Sequence, residues 1–131
     1  MRTALGFLFI ILGLFAVKNF AFAQQEVMAC YRFLYTQDYK KAIEVGKRAI
    51  KKYPKNANAH YCLSLAYLSV GELKLALEHA KKAERLTSKK IDLLLIYNQI
   101  GLIYLTMGLQ DEALPYLNKS LNLAKDLGSR D

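Results

Sequence analysis

ANAHYCLSLAYLSVGELKLALEHAKKAERLTSKK, residues 57–90, decides the fold. In its first half Tyr61, Leu65 and Leu68, with Leu63, Ala66 and Tyr67 beside them, recur at three- and four-residue intervals, the period of an amphipathic helix. Gly71 closes that helix, because glycine tolerates the left-handed backbone that ends one. Leu73, Ala76, Leu77, Ala80 and Ala83 then restart the same period, so the stretch reads as two helices joined by a tight turn.

The pattern recurs on both sides. Ala42 precedes Ala76 by 34 residues and Ala49 precedes Ala83 by the same step. Tyr67 and Tyr104, Gly71 and Gly108, and Ala76 and Ala113 are each 37 apart. The upstream unit runs from Val27 to a turn near Thr36-Gln37-Asp38, and Ala42, Ile43, Ala49 and Ile50 mark its second helix, which Pro54 stops. In the downstream unit Ile96, Ile100 and Ile103 precede Gly108, and Ala113, Leu114, Leu117 and Leu121 follow it. Three units are therefore expected, 24–56, 57–90 and 91–127, with a short tail at 128–131. Ala42, Ala76 and Ala113 fall where paired helices would cross, and Ala49 and Ala83 where the next unit would approach. A bulky side chain at such a contact typically costs about 1–3 kcal/mol.

Residues 1–23 are of a different character. Arg2 supplies a short basic start, Ala4 to Val17 is a continuous apolar run, and Ala21-Phe22-Ala23 offers small residues at signal-peptidase spacing. A signal peptide cleaved after Ala23 is the expectation, since Lys18 stops the run short of the roughly 20 apolar residues that span a bilayer. The competing reading is an uncleaved anchor formed by residues 4–23, which leaves membrane proximity open. Export to the periplasm is expected, with membrane anchorage or an extracellular location as alternatives.

Composition agrees with a folded all-α domain: 53% of residues are apolar, only 2 of the 131 are Pro, and no β-branched run interrupts the helical period. The net charge is +8, and it is unevenly placed. Residues 24–56 carry eight Lys and Arg against three acids, whereas residues 91–131 carry three against five. Lys41, Lys47, Arg48, Lys51, Lys52 and Lys55 recur near helical spacing and define one candidate basic face. Solvation of an outer helix face is the simpler reading of these lysines. Nucleic acid is not expected as a partner, because no aromatic-interleaved motif accompanies them.

Ala59-His60-Tyr61-Cys62-Leu63-Ser64-Leu65-Ala66-Tyr67, Gly71, Ala76 and Ala83 resemble the tetratricopeptide signature, and Tyr97, Ile100-Gly101, Tyr104, Gly108 and Ala113 resemble it more closely. Departures are His60 in the usual Trp place, Ser64 for Gly, Ser88 for the closing Pro and Ser120 for Ala. The resemblance implies an α-solenoid of three tandem helix-turn-helix repeats in a right-handed superhelix, whose first helices line a concave groove that holds a peptide or a partner helix. Carried over place by place, the groove would be lined by Val27, Tyr31, Leu34 and Tyr35, then Tyr61, Leu65, Leu68 and Ser69, then Asn98, Leu102, Leu105 and Thr106. Relatives that capture acidic chaperone tails hold a carboxylate clamp of Lys and Asn. Here the matching places carry Val27, Tyr31 and Cys62, so a cytosolic co-chaperone role is not expected.

The expected function is accordingly a non-catalytic protein–protein interaction module of the cell envelope. The alternative is a self-associating assembly subunit, because Leu121, Leu123, Ala124 and Leu127 leave the last helix without a capping partner and permit a homo-oligomer. No cofactor or metal site is expected. His60 and His79 lack a ligand at metal spacing, so His60 is expected to pack and His79 to face solvent. Cys30 and Cys62 could bridge in an oxidising compartment. Helical phase aims Cys30 into its own unit and Cys62 nearer the groove, so free buried thiols are expected.

Overall fold

The computed structural model describes residues 2–128, and within them the side chains other than those of 2–5, 15–17, 19 and 20. Residues 129–131 of the expected tail lie outside the described residues. The described chain forms six helices: α1 (Arg2–Tyr35), α2 (Tyr39–Lys52), α3 (Ala57–Ser69), α4 (Leu73–Leu86), α5 (Lys90–Thr106) and α6 (Gln110–Gly128). They pair in chain order as three hairpins, the three expected units. The first helices touch one another, α1 against α3 and α3 against α5, while α2, α4 and α6 meet only first helices. That asymmetry bends the array, with α1, α3 and α5 on the inner side. The apolar run 4–17 and the expected cleavage point after Ala23 both fall within α1, which continues unbroken from Arg2 into the first unit. The described side chains from Gly6 to Leu14 are all exposed, and among the described residues the buried ones are Ala23 and positions from Val27 to Ser120.

One turn geometry closes all three first helices. Gly71 and Gly108 adopt φ values of 82° and 79°, and Gln37 stands in the equivalent place at 63°. At each turn the amide after the left-handed residue reaches back across the helix end: Asp38 N–H to Phe33 O at 2.8 Å, Glu72 to Tyr67 at 2.9 Å, and Leu109 to Tyr104 at 2.8 Å. These bonds satisfy carbonyls that the ending helix would leave open. Two helix starts are capped by side chains, with Asp38 accepting from Lys41 N–H and Asn56 from Ala59 N–H.

The small residues sit where the pattern placed them. Ala42, Ala49, Ala76, Ala83 and Ala113 have no exposed surface. Three equivalent positions, Cys30, Ser64 and Gly101, face the second helix of their own unit, each in its own way. Cys30 Sγ lies 3.5 Å from Ala42 O, Ser64 donates its hydroxyl to Ala76 O at 2.7 Å, and a Cβ on Gly101 would run into the Leu117 side chain. Ser120 is buried, and its hydroxyl donates to Leu94 O at 3.0 Å, which satisfies a group that would otherwise cost about 1–3 kcal/mol.

The expectation of free thiols is corrected: Cys30 and Cys62 form a disulfide with Cα atoms 6.4 Å apart. Cys62 does not face the groove. It is fully buried with Ala42, Val45 and Ala66 at the junction of α1, α2 and α3. The next junction uses the same places, where Gln99, equivalent to Cys62, donates to the hydroxyl of Ser64, equivalent to Cys30, at 3.3 Å. The first two units are therefore joined covalently where the second and third are hydrogen-bonded.

Candidate functional site

The inner face is built from α1, α3 and α5, and helical phase leaves one row of each helix unpaired. In α1 the row consists of Tyr31, Leu34 and Tyr35. Tyr31 and Leu34 are half-buried against the first core cluster, whereas Tyr35 is 91% exposed. In α3, Tyr61, Leu65 and Leu68 are half-buried, with Tyr61 and Leu68 resting on the main core. In α5, Asn98 is exposed and Leu102 and Leu105 remain 45% and 42% open. Ser69 and Thr106 are exposed at the helix ends, each hydroxyl returned to the carbonyl four residues earlier. Val27 is corrected: it is buried against Ala49 and Ala59, because α1 leans onto the α2–α3 junction at that level.

A small recess of about 40 Å³ opens where the three first helices converge, lined by Tyr31, Asn58, Tyr61, Asp92, Leu95 and Ile96. Tyr31 donates its hydroxyl to Asn58 O at 3.5 Å. Burial, then the neighbouring Tyr61 and Asp92, hold the Tyr31 hydroxyl well above the ordinary tyrosine pKa, and burial also raises Tyr61. Both phenols are neutral at physiological pH. Sequence reasoning missed Asn58, Asp92 and Leu95. The available signal was charge: α3 contains no charged residue, and in α5 Lys90 and Asp92 are the only two.

The six basic residues Lys41, Lys47, Arg48, Lys51, Lys52 and Lys55 are all exposed, on α2 and the turn after it. Two of them are engaged locally. Lys41 lies 3.9 Å from Asp38 and over the Phe33 ring, and Lys52 pairs with Glu26 of α1 at 2.9 Å. Glu26 raises the Lys52 pKa.

His79 does not face solvent, a second correction of its expected place. It is buried against α3, its Nδ1 3.1 Å from His60 Nδ1, with its ring stacked on Tyr67. His60 Nε2 stands 2.9 Å from Pro54 O, and a carbonyl can only accept. Neutral His60 therefore carries its proton on Nε2 and accepts at Nδ1, and neutral His79 donates from Nδ1. Burial lowers both pKa values first, with His60 and Lys82 adding to the effect on His79, which falls to about 4. The equivalent residues of the third unit, Tyr97 and Tyr116, also meet ring to ring, 6.1 Å between centroids. The histidines thus stand in the aromatic filling between first and second helix. Among the described residues, no three His, Cys, Asp or Glu side chains gather to hold a metal.

A family model of the tetratricopeptide repeat matches residues 55–126. No curated protein matches the sequence. Among solved structures, a crystal structure of MamA aligns with 29% identity and a TM-score of 0.72, over 82% of this chain and 61% of that one. MamA from Desulfovibrio magneticus RS-1 aligns at 25% identity and 0.66, over 76% and 56% of the two chains. The second TPR of Spaghetti, bound to an HSP90 peptide, aligns at 23% identity and 0.70, over 77% and 91%. The chain thus spans less than two thirds of either MamA structure and nearly all of the Spaghetti domain.

Proposed function

The chain belongs to the tetratricopeptide repeat family, and from that premise we propose that it is a protein-binding module that holds a peptide or partner helix across α1, α3 and α5. The observation that carries this reading is the row of large apolar side chains left open on those helices, with Tyr35, Leu102 and Leu105 all more than two fifths exposed. Solvent contact for such a row is unfavourable, and covering it is worth about 25 cal/mol per Å² of apolar surface. The Spaghetti domain, alike in fold, carries a bound peptide. The working place we propose is the cell envelope, reached by export on residues 1–23. The apolar run 4–17 supports this, as does the Cys30–Cys62 bridge, because disulfides persist in oxidising compartments.

Capture from an envelope extract of the source cell tests the reading, with Tyr61→Ala/Leu65→Asp as control and circular dichroism to establish that the variant folds. A partner retained by the parent and lost by the folded variant is the expected outcome. Retention by both would sink the groove. Self-association is the second reading, favoured by Leu114 and Leu121, which α6 exposes at 55% and 52%, and by the broad hollow of about 460 Å³ bordered by Leu93, Tyr97 and Leu123. Sedimentation equilibrium checks it: a monomer mass unchanged up to about 100 μM, far above a typical micromolar association, excludes it.

A further inference from the structure

The charges on the inner face are nearly all spoken for. Residues 24–35, together with α3 and α5, carry Glu26, Arg32, Lys90 and Asp92. Glu26 pairs with Lys52 and Lys90 with Asp126, and Arg32 does not border the recess. Among the described residues Asp92 has no cation within 4.0 Å, and the hydrogen bond it accepts there is from the Thr87 hydroxyl, on Oδ2 at 3.3 Å. It is therefore a carboxylate with spare acceptor capacity, set between two tyrosines in a chain of net charge +8. Its position in the first turn of α5, at the positive end of the helix dipole, suits a negative charge. Tyr31 stays protonated, so the charge of the recess is that of Asp92 alone.

We propose that this recess, bordered by Tyr31, Tyr61 and Asp92, is a subsite for a lysine side chain of the bound peptide. The assignment rests on the groove reading and gives it a ligand chemistry. About 40 Å³ holds a few water-sized groups, a space that suits a compact ammonium head better than a bulky branched side chain. Asp92 Oδ1 can accept from the ammonium, beside the aromatic walls that Tyr31 and Tyr61 contribute. The lysine stem would lie on Leu95 and on the open row towards Leu102, where a long aliphatic chain is well placed. The recess thus selects a charge opposite to the acidic tails that a carboxylate clamp takes.

The test uses the full chain in nanodiscs of zwitterionic phosphatidylcholine. The probes are capped heptapeptides of alternating leucine and serine whose central residue is lysine, norleucine or glutamate. Binding is read from the Tyr31 and Tyr61 ring signals by NMR. The lysine peptide is expected to bind at least about tenfold tighter than the other two, an advantage that falls as salt is raised. Asp92→Asn keeps an acceptor for Thr87 and should erase that advantage without changing the thermal midpoint by more than a few degrees. Lysine and norleucine peptides of equal affinity, both lost in Leu102→Asp, would overturn the lysine subsite and leave the groove standing. Preference for glutamate would overturn the subsite as well, and no binding by any peptide up to 1 mM, roughly the weakest specific contact, would overturn both. If parent chains alone show concentration-dependent Tyr31 and Tyr61 shifts that Asp92→Asn abolishes, the lysine belongs to a second copy and the partner assignment fails.

Discussion

Reducing the Cys30–Cys62 bridge isolates one term of stability, because the thiols that replace it fill nearly the same volume. The bridge closes a loop with a sequence separation of 32. Chain-entropy arithmetic for that length gives about 12 cal/mol/K, or about 3.7 kcal/mol at 25 °C, removed from the unfolded state's advantage. Three repeats have a total stability on the order of 5–10 kcal/mol, so the loss is a large fraction of the whole. With a urea m-value of about 1.5 kcal/mol/M, the midpoint should fall by about 2–3 M. The assay is equilibrium unfolding of residues 24–131 by far-UV circular dichroism, with and without reductant. Thiol alkylation and mass spectrometry establish the redox state of each sample. Because Cys30 and Cys62 are fully buried, reduction has to proceed through opening of the first unit, and equilibration in mild urea provides it. Coincident curves for samples shown to be oxidised and reduced would refute the reasoning. Two alkylatable thiols in the air-oxidised chain would refute the bridge itself.

Two further perturbations act elsewhere in the array. His60 and His79 titrate lower in the folded chain than the ordinary 6.5, His79 at about 4, so the unfolded state takes up protons first as pH falls. Their contribution is complete above pH 6.5 and is lost between there and about pH 4; for His79 that is at most about 2 kcal/mol by pH 5, less where solvent screens the ring. Urea midpoints at pH 7.5 and 5.0 check this, and His60→Tyr/His79→Tyr, which installs the third unit's residues, should flatten the difference; equal losses in parent and variant would exclude the histidines as the cause. Gln37→Gly should raise stability by about 0.5–1 kcal/mol, because Gln37 holds a left-handed φ of 63° that glycine accepts without strain. A lowered thermal midpoint in that variant would mean that the Gln37 side chain contributes more than its backbone costs.

The fold was legible because each repeat repeats its reasons. Small residues mark helix crossings at 42, 76 and 113, and a left-handed residue ends each first helix at 37, 71 and 108. Val27 departs from that register, being buried where the other inner-row positions stay at least partly open. A single helical phase does not hold for all three units, because α1 leans in where Ala49 and Ala59 leave room. Contacts between units were less legible, since periodicity within a helix does not say which faces meet across a junction. The two junctions correspond place by place. Places 64 and 99 hold Ser and Gln, a donor–acceptor pair, and places 30 and 62 hold the two cysteines. A pairing in one junction implies proximity in the next, a stronger argument for the bridge than the helical phase that spoke against it. His60 and His79 correspond in the same way to Tyr97 and Tyr116, a pair that meets inside its hairpin as the histidines do in theirs. Asp92 has no counterpart of this kind, because the equivalent place one unit earlier is Lys55 in a turn. A feature without an equivalent in the other units is the one least owed to the fold, and for that reason the recess around Asp92 is where binding specificity is best sought.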